Sequence, residues 1–290
     1  MRGLAAAISV AAAVGLAGIT IPASAHDPTA VSVERDVVYR TVDGEPLRAD
    51  VYLPADSGDD RPVVLLVHGG GWSRGDRTEH EEQGRLLAEA GFVAVSVDYR
   101  FAPAHRYPAA VDDVQAAVRW LRKKAQRNAY GIDPNRIGAL GGSAGGHLVG
   151  LLAVLGEGRL DRRARVAAVV AWSGPMDLAR AAAHIDVGDV LILGDALMAF
   201  LGCSPGSCND ETAWDASPLT HVDGSDAPML LVNSENELIP LRLVQPMADA
   251  LDAAGVDNRL LTLPGNRHSG QFAPDVWDDT LSFLQEQLKP

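Results

Sequence analysis

Residues 136–154 run RIGALGGSAGGHLVGLLAV: an apolar strand-like stretch, a turn of small residues around Ser143, and an apolar helix-like stretch. This junction constrains the fold more than any other part of the chain. A strand that becomes a helix within two or three residues needs glycine where backbones crowd. The helix must then pack back onto the sheet that holds the strand. Five further segments fit the same scheme. PVVLLVHGG (62–70), FVAVSVDYR (92–100), VAAVVAWSG (166–174), PMLLVN (228–233) and RLLTLPG (259–265) are short apolar runs, as expected of strands covered on both faces. Helical patterns separate them: Arg77 to Ala90, one long amphipathic helix over Pro108 to Asn128, a helix from Ala144, Leu241 to Ala254, and a last helix to Leu288. VSVERDVVYR and LRADVYLP alternate around Asp43-Gly44-Glu45 and predict a hairpin entering the sheet. The fold class is therefore α/β, a mostly parallel sheet flanked by helices.

One region breaks the alternation. From about 175 to 227 the strand signal lapses, while GDVLILGDALMAFLG (188–202) is helical. An insertion that long between two strands predicts a cap, and ligands of such sheets bind at the C-terminal strand ends that a cap would cover. The insertion holds both cysteines of the chain, Cys203 and Cys208, in CSPGSC. The Ser-Pro-Gly-Ser turn between them can bring the two within bridging range.

The N-terminus has the layout of an export signal: Arg2, an apolar run from Leu4 to Ile21, and Ala-Ser-Ala at 23–25. An uncleaved membrane anchor is the alternative, but the Ala and Gly content and the small residues at 23 and 25 favour cleavage after Ala25. The expected organisation is a signal peptide at 1–25 and one domain at 26–290, secreted and without a stable membrane anchor. Export to an oxidising compartment favours a Cys203–Cys208 disulfide. A formal charge of −13 argues against nucleic acid or anionic lipid as partners. No His or Cys cluster completes a metal-ligand set, and no cofactor is expected. Oligomeric state is not legible.

Three motifs carry chemistry. Gly141-Gly142-Ser143-Ala144-Gly145 fits G-x-S-x-G between a strand and a helix, where the turn exposes a serine Oγ at the sheet edge. His68-Gly69-Gly70-Gly71-Trp72 ends another strand, and its glycines let backbone N–H groups approach a reacting carbonyl. His268, in the polar loop LPGNRHSG, follows the last strand. A serine nucleophile needs a base, and the chain order Ser, acid, His puts that base at His268. The acid belongs after the penultimate strand, in LVNSENELIP. Glu237 and Glu235 both fall there, and Asp177 and Asp275 stand as alternatives elsewhere. His68 suits a role supporting its loop, His147 a packing position, and His221 in the cap could meet substrate. Asp98 and Arg100 are expected to brace the loop beside the site, and Asp112 and Asp113 to pair with basic neighbours.

With HGGGW, DYRFAPAHRYPAA (98–110), GGSAGGH and the spacing to His268, the chain from about Pro46 onward resembles the α/β-hydrolase esterases of the hormone-sensitive-lipase type and the related bacterial feruloyl-esterase-like group. It departs from the family's usual pattern at Ala104 and His147. The resemblance implies an α/β-hydrolase fold with Ser143 as nucleophile and Gly70, Gly71 and Ala144 as oxyanion donors. Counted from the penultimate strand, the family's acid position falls on Glu237. The implied activity is hydrolysis of short- to medium-acyl carboxylic esters, small or polysaccharide-linked, through an acyl-enzyme. A serine peptidase related to the prolyl oligopeptidases and a non-catalytic binding module are the alternatives.

Overall fold

The computed structural model describes residues 31–56, 58–183, 191–204, 208 and 210–289. The expected signal peptide, 1–25, lies outside them. Among the described residues, eight strands form one sheet in the order β1-β2-β4-β3-β5-β6-β7-β8. β1 (Ser32–Val42) and β2 (Glu45–Leu53) form the expected hairpin, closed at Asp43 and Gly44, both with positive φ. That geometry matches the twist of the flanking strands. β2 runs antiparallel to β4 (Val93–Val97). From β4 through β3 (Arg61–Val67), β5 (Ile132–Gly142), β6 (Ala168–Trp172), β7 (Met229–Ser234) and β8 (Asn258–Leu263) every pairing is parallel.

The continuous apolar runs serve two cores at once. Val63, Leu65 and Val67 face one core, while Val64 and Leu66 face the other, and β4, β6 and β7 alternate in the same way. The first core is covered by α2 (Ala109–Leu121), α4 (Ala144–Val154) and α8 (Gln245–Ala254). The second lies under α1 (Glu81–Glu89) and α9 (Ala273–Gln287). Each fully buried Val or Leu contributes about 1.5–3 kcal/mol relative to exposure, which explains why period-2 patterning is absent from these strands.

The helix expected over Pro108 to Asn128 is two helices. α2 ends at Leu121, Lys123 is extended, and α3 (Lys124–Tyr130) restarts. The break turns Tyr130 back into the first core beside Trp120. It also frees the Arg122 guanidinium to donate to the carbonyls of Pro134, Leu160, Asp161, Arg163 and Arg165. Tertiary bonding of that extent outweighs local periodicity. The helix expected from Leu241 begins at Gln245 instead, after a short 3-10 turn over Leu241–Leu243. Pro246 cannot sit inside a helix and is tolerated only in its first turn.

Between β6 and β7 the cap region holds α5 (Leu178–Ala183), α6 (Leu191–Leu201) and α7 (Asp210–Asp215). Cys203 and Cys208, just past α6, are joined in a disulfide. α6 carries Phe200, which stacks on Trp72 with ring centroids 4.6 Å apart.

Candidate active site

The C-terminal ends of β3, β5, β6, β7 and β8 converge on a cavity of about 670 Å³. Gly70, Gly71, Ser143 and His268 line it together, with Leu193, Ala196 and Ala199 of α6 on the cap side and Arg74 and Glu79 on another wall.

Ser143 sits at the strand–helix junction with φ 56° and ψ −121°, a conformation an L-residue adopts only when its surroundings hold it. Its N–H donates to Trp172 O at 2.7 Å and its carbonyl accepts from His147 N at 3.0 Å. Gly145 permits the turn, because a Cβ there would lie 2.0 Å from Val67 O. The start of α4 and the end of β3 therefore meet backbone to backbone at this point. Ala144, buried, opens α4 immediately after the serine.

Two residues orient the HGGGW loop. Tyr99 OH lies 3.0 Å from both His68 O and Gly69 O. Peptide planarity then aims Gly70 N–H away from the Tyr99 ring. Gly70 O accepts from Ser73 N at 3.2 Å, so Gly71 N–H points away from Ser73. His68 lies beneath the loop, stacked on Tyr99 at 4.3 Å, with Nδ1 2.9 Å from Gly69 O. Burial lowers its pKa to about 4, so the ring is neutral and structural.

His268 follows β8, and its Nδ1 bonds to Glu237 Oε2. The Glu237 side chain is wholly buried behind it. Glu237 Oε1 accepts from Ser173 Oγ at 2.8 Å and from Ser234 N at 2.9 Å. Of the competing acids, Glu235 is exposed, Asp177 Oδ1 accepts from Arg180 N at 2.8 Å, and Asp275 pairs with Arg267. Ser143 and His268 share the cavity with no direct hydrogen bond between them. A loose serine–histidine pair is ordinary in a site without bound substrate.

His147 and His221 act as brackets. His147 is fully buried; its Nδ1 accepts from Trp72 Nε1 at 3.1 Å, and its Nε2 donates to Ala216 O at 2.7 Å. It ties α4 and the glycine loop to the cap, and burial takes its pKa down to about 4. His221, considered as a substrate contact, instead bonds Asp215 O at 2.8 Å and does not line the cavity. Asp98 accepts from Arg77, and buried Asp113 pairs with both Arg40 and Arg100. Asp112 makes no ion pair among the described residues; its N–H closes a helical turn on Pro108 O.

Sequence reasoning did not single out Tyr99, Ser173 or Ser234. A serine closing an apolar strand carries no spacing signal, and only the strand order brings Ser173 beside the acid.

The chain is similar to known esterases. Carboxylesterase NlhH of Mycobacterium tuberculosis is 45% identical over 123 residues, 42% of this chain and 37% of NlhH. The probable carboxylic ester hydrolase LipM of the same organism is 31% identical over 198 residues, 66% of this chain and 44% of LipM. The matched stretches thus span less than half of these relatives' lengths. Esterase 2 of Thermogutta terrifontis, solved phosphonylated by sarin, superposes with a TM-score of 0.72 at 27% identity, covering 90% of this chain and 96% of that one. The model of the BD-FAE family matches residues 49–251. This chain belongs to the BD-FAE family, within the α/β-hydrolase esterases of the hormone-sensitive-lipase type that its motifs resemble.

Proposed function

We propose that the protein is a serine carboxylesterase with Ser143 as nucleophile, His268 as base and Glu237 as acid. The observation that carries this reading is the buried Glu237–His268 bond beside a left-handed serine at the mouth of the glycine loop. His268 Nε2 would take the proton of Ser143 Oγ as it attacks the ester carbonyl, and Glu237 would hold the imidazolium that forms. Ala144, Gly70 and Gly71 would supply the oxyanion donors, each typically worth about 3–4 kcal/mol in the transition state. The alcohol leaves with the proton from His268, and water then releases the acid from the acyl-enzyme.

The small apolar side chains on α6, Leu193, Ala196 and Ala199, support short to medium acyl groups. The esterase names of the matched relatives support the reaction class. Secretion after cleavage at Ala25, and a small or polysaccharide-linked ester as substrate, complete the proposal.

Hydrolysis of p-nitrophenyl acetate by the 26–290 protein, with a serine-reactive phosphonate and peptide mapping, tests it. Ester turnover with the label on Ser143, and loss of both in Ser143→Ala, is the expected result. Full activity in that variant would overturn the assignment. Amide turnover exceeding ester turnover would favour a peptidase.

A further inference from the structure

We propose that Ser173 is a positioning residue whose hydroxyl ties the carboxylate of Glu237 to the loop carrying His268, fixing acid and base in register with Ser143. This rests on the esterase reading above. Ser173 is the first residue past β6, fully buried, and left-handed at φ 51°. A non-glycine residue persists there when neighbouring bonds over-determine it. Those bonds are identifiable: its N–H donates to Val232 O at 2.8 Å, and its Oγ is 2.8 Å from both Ser269 N and Glu237 Oε1. An amide nitrogen only donates, so Oγ accepts from Ser269, and its single hydrogen is left for Glu237. The direction of the chain, from Ser269 N–H to Ser173 Oγ–H to the carboxylate, is thereby set, and each bond polarises the next.

The neighbouring residue completes the arrangement. Trp172 O receives Ser143 N–H at 2.7 Å. Two consecutive residues at the end of β6 therefore bond to the nucleophile, the acid and the loop of the base. The sheet order explains how. β6 lies between β5, which carries Ser143, and β7, whose following loop carries Glu237, and β8 with the His268 loop is one strand further. Ser269 also packs on the nucleophile turn directly: a Cβ added at Gly142 would fall 2.0 Å from Ser269 Oγ.

A second group of bonds holds the same loop from β7, with Ser234 Oγ donating to Arg267 O at 2.7 Å. Ser173 differs in touching the carboxylate and the loop with one atom. Loss of its hydroxyl removes a donor from a buried carboxylate, which makes that carboxylate more basic and strengthens its hold on a protonated His268. The titratable and charged groups that share the cavity with the ring are Arg74, Glu79, His80 and Asp195, and Arg267, paired with Asp275, lies on its own loop. All of them are retained when Ser173 alone is changed.

The test compares wild type with Ser173→Gly and Ser173→Ala. Glycine suits φ 51° better than serine, so its variant removes the hydroxyl without straining the backbone. Both variants should lose roughly 10- to 100-fold in kcat, the scale of a small misplacement of reacting groups. KM should hold, and the acidic limb of kcat/KM should move to higher pH. A ¹⁵N NMR titration of the His268 ring, which needs no turnover, should shift the same way. An inactive wild type would sink the esterase reading while leaving the titration to decide on Ser173. Wild-type kcat in Ser173→Gly, or a kcat loss with an unmoved titration, would overturn the proposal.

Discussion

Glu237 and Glu235 stand two residues apart in one loop and differ in everything that matters to an acid. The Glu237 side chain is buried with bonds from His268, Ser173 and Ser234, whereas Glu235 is exposed. Glu237→Gln should therefore reduce kcat by about 10⁴-fold, the loss seen when a triad acid becomes an amide. Glu235→Gln should stay close to wild type. Steady-state p-nitrophenyl acetate kinetics on the pair decide between them, and equal losses would reject the assignment. At the same scale, Gly145→Ala forces a Cβ against Val67 O. Backbone cannot yield as a flexible side chain can, so a loss of about 1–3 kcal/mol or more is expected, measured by thermal unfolding. The residue types at both places could be named from sequence, but their partners could not. Sequence places two acids in the loop, and only the burial of one of them separates their roles.

Elements are joined around the site by a few buried polar groups. Asp113 on α2, fully buried, receives Arg40 from β1 and Arg100 from the loop after β4. Removing one member of a buried ion pair typically costs about 3–5 kcal/mol, because the partners are left desolvated and unpaired. Asp113→Ala should lower the urea midpoint accordingly, with the denaturant slope unchanged. A shift no larger than that of Asp112→Ala, whose side chain makes no ion pair among the described residues, would contradict this role. The cap is attached by similar means, through His147 to Ala216 O and Phe200 on Trp72. Strand positions were legible because runs such as VVLLV must be buried on both faces. The break between α2 and α3 was not, since Arg122 finds its five carbonyls only after the chain has folded.

For the molecule as a whole, the buried histidines set its behaviour in acid. His68 and His147 are each held near a pKa of about 4 by burial, against an ordinary value of 6.5, and burial lowers His80 as well. At these histidines the unfolded chain therefore binds more protons than the folded one between these values. The histidine part of the stability is full above about pH 6.5, falls as pH drops toward about 4, and levels off below, with His68 and His147 each accounting for about 3 kcal/mol of the loss, while Asp226, raised to about 6 by burial, works in the opposite direction. Urea midpoints measured from pH 7 to 4 should decline across that window. His147→Gln should decline less steeply than wild type, and an identical slope would remove His147 from this account.

What the sequence by itself determined was the α/β class, the strand–turn–helix around Ser143, the glycine loop, and a histidine in the loop after the last strand. These follow from patterns written locally: apolar runs that must be buried on both faces, and glycines where backbones meet. Tertiary structure alone decided which glutamate meets His268, that Tyr99 turns the glycine loop, and that Ser173 joins three loops. Those depend on strand order, which sets residues distant in sequence side by side at one edge of the sheet. A hydrogen bond between such residues leaves no periodicity or spacing in the chain that makes it.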